Sequence, residues 1–141
     1  MGRLFVFFTL LVLLVAGCGQ TKQTPLNPEL LLVLHNQNRT ENNIRPLEID
    51  QYLSEYAQKH AEWMASRNSM RHSNINNLVG KYRLAGENIA WNQADEPAVV
   101  DAWMHSKPHR HNILNKNFSK VGFGMARNSK GQPYWCTNFG D

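Results

Sequence analysis

Between Pro28 and Asn42 the run "PELLLVLHNQNRTEN" places Leu30, Leu31, Leu34 and Asn38 at three- and four-residue spacing. That is the stripe of a first helix, and Pro28 suits its first turn. Pro46 then forces extended backbone at Arg45 and breaks the pattern. Asp50 caps a second helix. Its apolar side carries Leu53, Tyr56, Ala57, His60, Ala61 and Met64, the strongest periodicity in the chain. Residues 66–77 are a polar turn region. "LVGKYRLAGENIAW" (78–91) is ambiguous: it reads as a short helix, a loop at Gly86, then a short helix or a strand. Glu96-Pro97 opens a third helix, with Val99, Val100, Trp103 and Met104 on its apolar side. Pro108 ends or kinks it, and "HRHNILN" predicts one more helical turn. "VGFGMA" (121–126) and "PYWCTNF" (133–139) read as strands joined by the turn "RNSKGQ", an antiparallel hairpin. Helices first and strands later predict an α+β fold, with helices packed on a small antiparallel sheet.

The first 28 residues stand apart from this pattern. Arg3 is followed by fourteen residues, Leu4–Gly17, whose only clearly polar member is Thr9. A basic start and a short apolar run read as an export signal, short for a spanning helix. "LVAGC" resembles the bacterial lipoprotein signal, which implies a signal over 1–17 and lipid on Cys18. Residues 18–28, "CGQTKQTPLNP", read as a polar tether. The folded domain is expected over 29–141, enough for one core. The formal net charge of +4 suits an anionic envelope surface or nucleic acid. Lysines and arginines are scattered without a run or stripe, however, so nucleic acid is not the expected partner. With Cys18 lipidated, Cys136 has no intrachain partner and reads as a buried, inert thiol.

No HExxH, GxSxG, phosphate loop or CxxC is present. The remaining chemistry is histidine and one unusual acid. His60 and His35 fall on helical stripes and read as packing residues, and His105 and His111 as exposed ones. His72 lies in a polar turn and His109 follows Pro108 at a helix break, so both can project an imidazole into a cleft. Glu87 sits inside the apolar run "RLAGENIAW" and needs a partner if it is buried. One of these histidines is the candidate.

Eight motifs in one order carry a family resemblance: "HNQNR", "RPLEID", "YAQKHAEWMA", "HSN", "GENIAW", "WMHSKPHRHNIL", "VGFGMA" and "YWCTNFG". Residues 29–141 resemble the CAP superfamily, also called the SCP or cysteine-rich secretory/antigen 5/pathogenesis-related 1 family. The resemblance is to its short, cysteine-poor bacterial form. It implies an α-β-α sandwich and a cleft with two histidines and two acids. Carried over, the histidines are His72 and His109 and one acid is Glu87. The second acid follows a tryptophan as W-x-x-E in many members; here "WMHS" puts Ser106 in its place. The resemblance implies zinc or another divalent cation, weakly held by His72 and His109 with Glu87 behind them. The expected function is a binding module of the cell envelope, monomeric, either lipid-anchored at Cys18 or secreted. Its ligand would be a lipid, glycan or protein. Gly19 lacks the aspartate that retains many lipoproteins on an inner membrane. The alternative is a hydrolase, with metal-activated water and Glu87 as base, or with Ser106 as nucleophile and His109 as base.

Overall fold

The computed structural model describes residues 24–141. The export signal, Cys18 and the tether up to residue 23 lie outside the described residues. The elements follow in the order α1 (Pro28–Glu41), β1 (Glu48–Ile49), α2 (Gln51–Arg67), a 3-10 turn (Ile75–Leu78), β2 (Ala85–Trp91), α3 (Glu96–His105), α4 (Lys107–Ile113), β3 (Lys120–Arg127) and β4 (Pro133–Gly140).

The helix starts are written in the sequence. Asn27, Asp50 and Asp95 each accept the backbone N–H three residues on, capping α1, α2 and α3. Asn68 ends α2 in the left-handed conformation that asparagine tolerates. Pro108 separates two helices instead of kinking one, because it fits the first turn of α4 and cannot extend α3. The ambiguous stretch resolves as strand, and Gly86 lies within β2, not in a loop.

The four strands form one sheet in the order β1-β3-β4-β2. The expected hairpin is present: β3 and β4 pair antiparallel from Lys120↔Gly140 to Arg127↔Pro133. The sheet is mixed, however, because β1 pairs parallel with β3. This two-residue strand is too short to leave a period in the sequence, and it forms as the chain passes Ser119 and Val121 on its way into α2.

Alternation along the strands sorts the core into two layers. Val121, Phe123, Trp135 and Phe139 face α1, α3 and α4, joining Leu31, Val99, Trp103 and Ile113. Ile89, Tyr134 and Cys136 face α2, joining Ala57, Ala61 and Met64. The sandwich is thus helix, sheet, helix. Gly122 and Gly124 also face α2, and a Cβ at either would fall on the helix backbone, at Leu53–Ser54 and Ala57–Gln58. Glycine here lets α2 rest directly on β3.

Two polar features complete the fold. The buried stripe of α1 is Leu31, His35 and Arg39, not the Leu30, Leu34 and Asn38 positions of the hydropathy pattern. Arg39 is fully buried, with no carboxylate partner among the described residues. Its guanidinium donates to four carbonyls: Arg45 at 2.9 Å, Ile113 at 2.8 Å, Asn115 at 2.9 Å and Phe118 at 2.9 Å. It thereby joins α1 to the end of α4 and to the turn entering β3. The second feature is the outer edge of β2, which meets side chains instead of a strand. Asn112 donates to Glu87 O at 3.1 Å, and Trp103 Nε1 donates to Ile89 O at 3.1 Å.

Candidate functional site

Glu87 answers the question that its apolar neighbours raise. It projects from β2 on the α2 face and is buried at 8 % exposure. Its Oε1 accepts His72 Nδ1 at 2.7 Å and the Ser73 backbone N–H at 2.9 Å. Its Oε2 accepts Asn138 Nδ2 at 3.3 Å and the Cys136 thiol at 3.7 Å. Burial pushes the Glu87 pKa up, but hydrogen bonds from Ser73 and His72 and the charge of His60 outweigh it, so the net shift is downward. The carboxylate is therefore ionised at neutral pH and acts only as an acceptor.

That fixes the neighbouring imidazole. An ionised carboxylate at Nδ1 requires the proton on Nδ1, which leaves neutral His72 with its lone pair on Nε2. The His72 side chain is 60 % exposed while that of Glu87 is 4 % exposed. A buried anion thus orients an open imidazole, the arrangement that commonly stands behind a metal-ligating histidine. Gly86 contributes by close approach: a Cβ there would come within 2.9 Å of Phe118 Cζ. Along the same strand Ile89 is buried, whereas Trp91 is 44 % exposed.

His109 lies on α4, half-buried. Burial lowers its pKa first and the charge of His72 lowers it further, so it feels His72 without touching Glu87. Its backbone carbonyl accepts Asn88 Nδ2 at 3.0 Å, and Asn88 Oδ1 accepts Asn112 Nδ2 at 2.9 Å. This pair of amides pins α4 to β2 and so sets where His109 stands. Neither asparagine stands out in the sequence by type or spacing.

The structure brings His72 and Glu87 into direct contact, and His109 on α4 is near enough for the charge of His72 to lower its pKa. It does not assemble a larger cluster: among the described residues no group of three or more His, Cys, Asp or Glu side chains is placed to hold a metal. Two imidazoles with water fit an exchangeable ion, short of the four protein ligands of a structural zinc. Ser106 stands between α3 and α4, and no hydrogen bond joins it to His109 among the described residues. Cys136 is fully buried, and burial and the Glu87 charge raise its pKa well above that of a free thiol, which keeps it protonated.

Beside His72 runs an open groove of about 380 Å³ between α2 and the turn that follows it. Sequence reasoning placed His60 in the core; instead it is half-buried and lines this groove with Trp63. The two rings stack with centroids 5.7 Å apart and planes 9° apart. His60 Nε2 meets Arg71 O at 2.7 Å, holding the turn against the helix. The helical period could not distinguish a stripe entering the core from one bordering a cleft.

The family model described as the cysteine-rich secretory protein family (CAP) matches residues 32–139. An uncharacterized protein of Bacillus subtilis, YkwD, is 37% identical over 115 residues, covering 75% of this chain and 44% of that protein. The chain thus spans less than half the length of this relative. An outer surface protein from Borrelia burgdorferi superposes with a TM-score of 0.73 at 20% identity, covering 81% of this chain and 91% of that one. The structure of NaASP2 with Zn2+ superposes with a TM-score of 0.65 at 15% identity, covering 88% and 84%. The two superpositions establish the α-β-α sandwich.

Proposed function

Because the chain belongs to the cysteine-rich secretory protein (CAP) family, we propose that it acts as an exported binding module of the cell envelope. Its cleft holds a divalent cation at His72 and His109. The observation that carries this reading is the 2.7 Å contact between buried Glu87 and exposed His72, which presents Nε2 as a ligand. NaASP2, which shares the fold, is described with Zn2+. When bound, such an ion supplies an electrophilic centre. Of the chain's own residues, Glu87 holds the Nδ1 proton of His72, and Asn88 with Asn112 position the helix that carries His109. With no larger group of His, Cys, Asp or Glu placed to hold a metal among the described residues, the ion is expected to exchange.

Titrating the purified chain with zinc in a calorimeter tests this. Binding is expected at pH 7.5 and is expected to fade below about pH 6.5, where a free imidazole takes up its proton. The depressed pKa of His109 keeps that ligand neutral further into acid. Glu87→Gln keeps the shape but removes the charge that orients His72, and is expected to cost about 10–100-fold in affinity. Equal zinc affinity in the parent and in a His72→Ala, His109→Ala double variant would sink the metal site.

The module is further proposed to reach the envelope through Cys18, by the order of apolar run, small residues and cysteine before a polar tether. Stable anchoring needs two or more acyl signals. Cys18→Ala is expected to release the protein from the membrane fraction or leave it unprocessed. Unchanged size and unchanged membrane association would refute the anchor.

A further inference from the structure

The groove beside His72 has a composition that the metal reading does not use. One wall is an aromatic platform, Trp63 stacked on His60, with Trp63 38 % exposed. Lys59 and Arg71 line the same groove, and neither is in an ion pair among the described residues. Among the described residues no carboxylate lines it; Glu87 is buried behind His72 and its charge is already hydrogen-bonded. Asn74 and Asn77, at the far side, supply amide groups.

Each part selects something different. An exposed flat indole, held in place by a stacked neighbour, offers a face to the C–H side of a ring that is itself hydroxylated at its edges. Side-chain amides donate to and accept from hydroxyls. Two free cations without a competing carboxylate favour an anion, and a concave wall strengthens that preference. An acidic peptide would use the cations and leave the platform idle. A neutral sugar would use the platform and leave the cations idle.

We propose that this groove takes an acidic sugar residue, its pyranose ring lying on Trp63 and its anionic group meeting Lys59 and Arg71. The inference rests on the reading of the cleft as a binding site and specifies the class of ligand. The occupant would be one unit of an acidic polysaccharide, since the groove is open along its length and can admit a chain.

An alginate hexamer, a carboxylated pyranose oligomer, is a suitable probe. It would be titrated against the purified full chain in low salt with a chelator present, so that no metal contributes. Saturable binding is expected. Trp63→Ala and the Lys59→Gln, Arg71→Gln double variant are each expected to weaken it at least about tenfold, while Trp63→Phe, which keeps an aromatic face, retains most of it. Trp63, Lys59 and Arg71 lie at the surface, so melting temperatures should be unchanged. Polyglutamate of equal charge and neutral dextran are expected to bind at least about tenfold more weakly. Polyglutamate binding as tightly as alginate, dextran binding as tightly as alginate, or alginate binding indifferent to Trp63→Ala would each overturn the proposal. Zinc binding without alginate binding would overturn it while leaving the metal site standing. Alginate binding without zinc binding would do the reverse.

Discussion

Arg39→Met is expected to lower the free energy of unfolding by at least about 3 kcal/mol, because an acceptor left without its donor costs about 1–3 kcal/mol and four carbonyls lose theirs. The arginine donates to four carbonyls, one at Arg45 and three within residues 113–118. Methionine fills a similar volume but leaves those oxygens buried without donors, and each unsatisfied group carries its own desolvation cost. The charge is held by carbonyl dipoles alone, including Ile113 at the end of α4, where a helix favours a cation. Arg39→Lys keeps the charge but has three donors on one nitrogen and cannot span the planar fork, so an intermediate loss is expected. Urea unfolding of the three proteins measures this. A methionine variant within about 1 kcal/mol of the parent would show that the carbonyls find other donors.

His35 is expected to make the fold sensitive to mild acid. It is fully buried, its Nδ1 donating to Leu31 O at 2.8 Å and its Nε2 without a partner. Three aromatic rings surround it, from Trp103, Phe123 and Phe139. Burial drives its pKa down from 6.5 to about 4, outweighing the hydrogen bond to Leu31, and the charge of Arg39 adds to the fall. Above pH 6.5 the ring is neutral in both folded and unfolded chains, and the shift contributes nothing to the pH slope. Between 6.5 and about 4 only the unfolded chain takes up the proton, so the folded state loses ground. Below about 4 both are charged and the loss is complete, at about 3 kcal/mol. Paired carboxylates and His109 titrate in the same direction, so the informative quantity is the difference between parent and His35→Leu. The parent should lose about 3 kcal/mol more than the variant from pH 7 to pH 4. Equal losses would mean that His35 becomes protonated inside the fold without penalty.

These two residues also mark where the sequence stops being readable. Helices α2 and α3 and the β3–β4 hairpin follow from spacing and caps, because there burial coincides with hydropathy. In α1 it does not. Leu31 and His35, which the stripe does place inside, are followed into the core by Arg39, whose polar type points to the surface, and only its distant carbonyl partners make that burial tolerable. Strand β1 is set by where the chain passes β3, not by any local preference. For the site, His72 and Glu87 are legible as a histidine in a polar turn, able to enter a cleft, and an acid in an apolar run. That they meet depends on β2 and on the end of α2 being adjacent, a long-range fact. The supports are harder still to read: Asn88, Asn112 and Asn138 are ordinary asparagines until their hydrogen bonds are seen. Gly86 reads from the sequence as a loop residue, yet it stands in β2, where the Phe118 ring leaves no room for a Cβ.

The side chains that cover the outer edge of β2 have a consequence for how these molecules behave at high density. A bare strand edge recruits other chains by backbone pairing, and end-to-end growth of sheets begins there. On β2 the carbonyls of Glu87 and Ile89 are already taken by Asn112 and Trp103. At the opposite end, β1 offers only two residues. The β2 edge is thus shielded from backbone pairing at Glu87 and Ile89, which disfavours growth of one sheet onto the next through that edge when the domains are crowded.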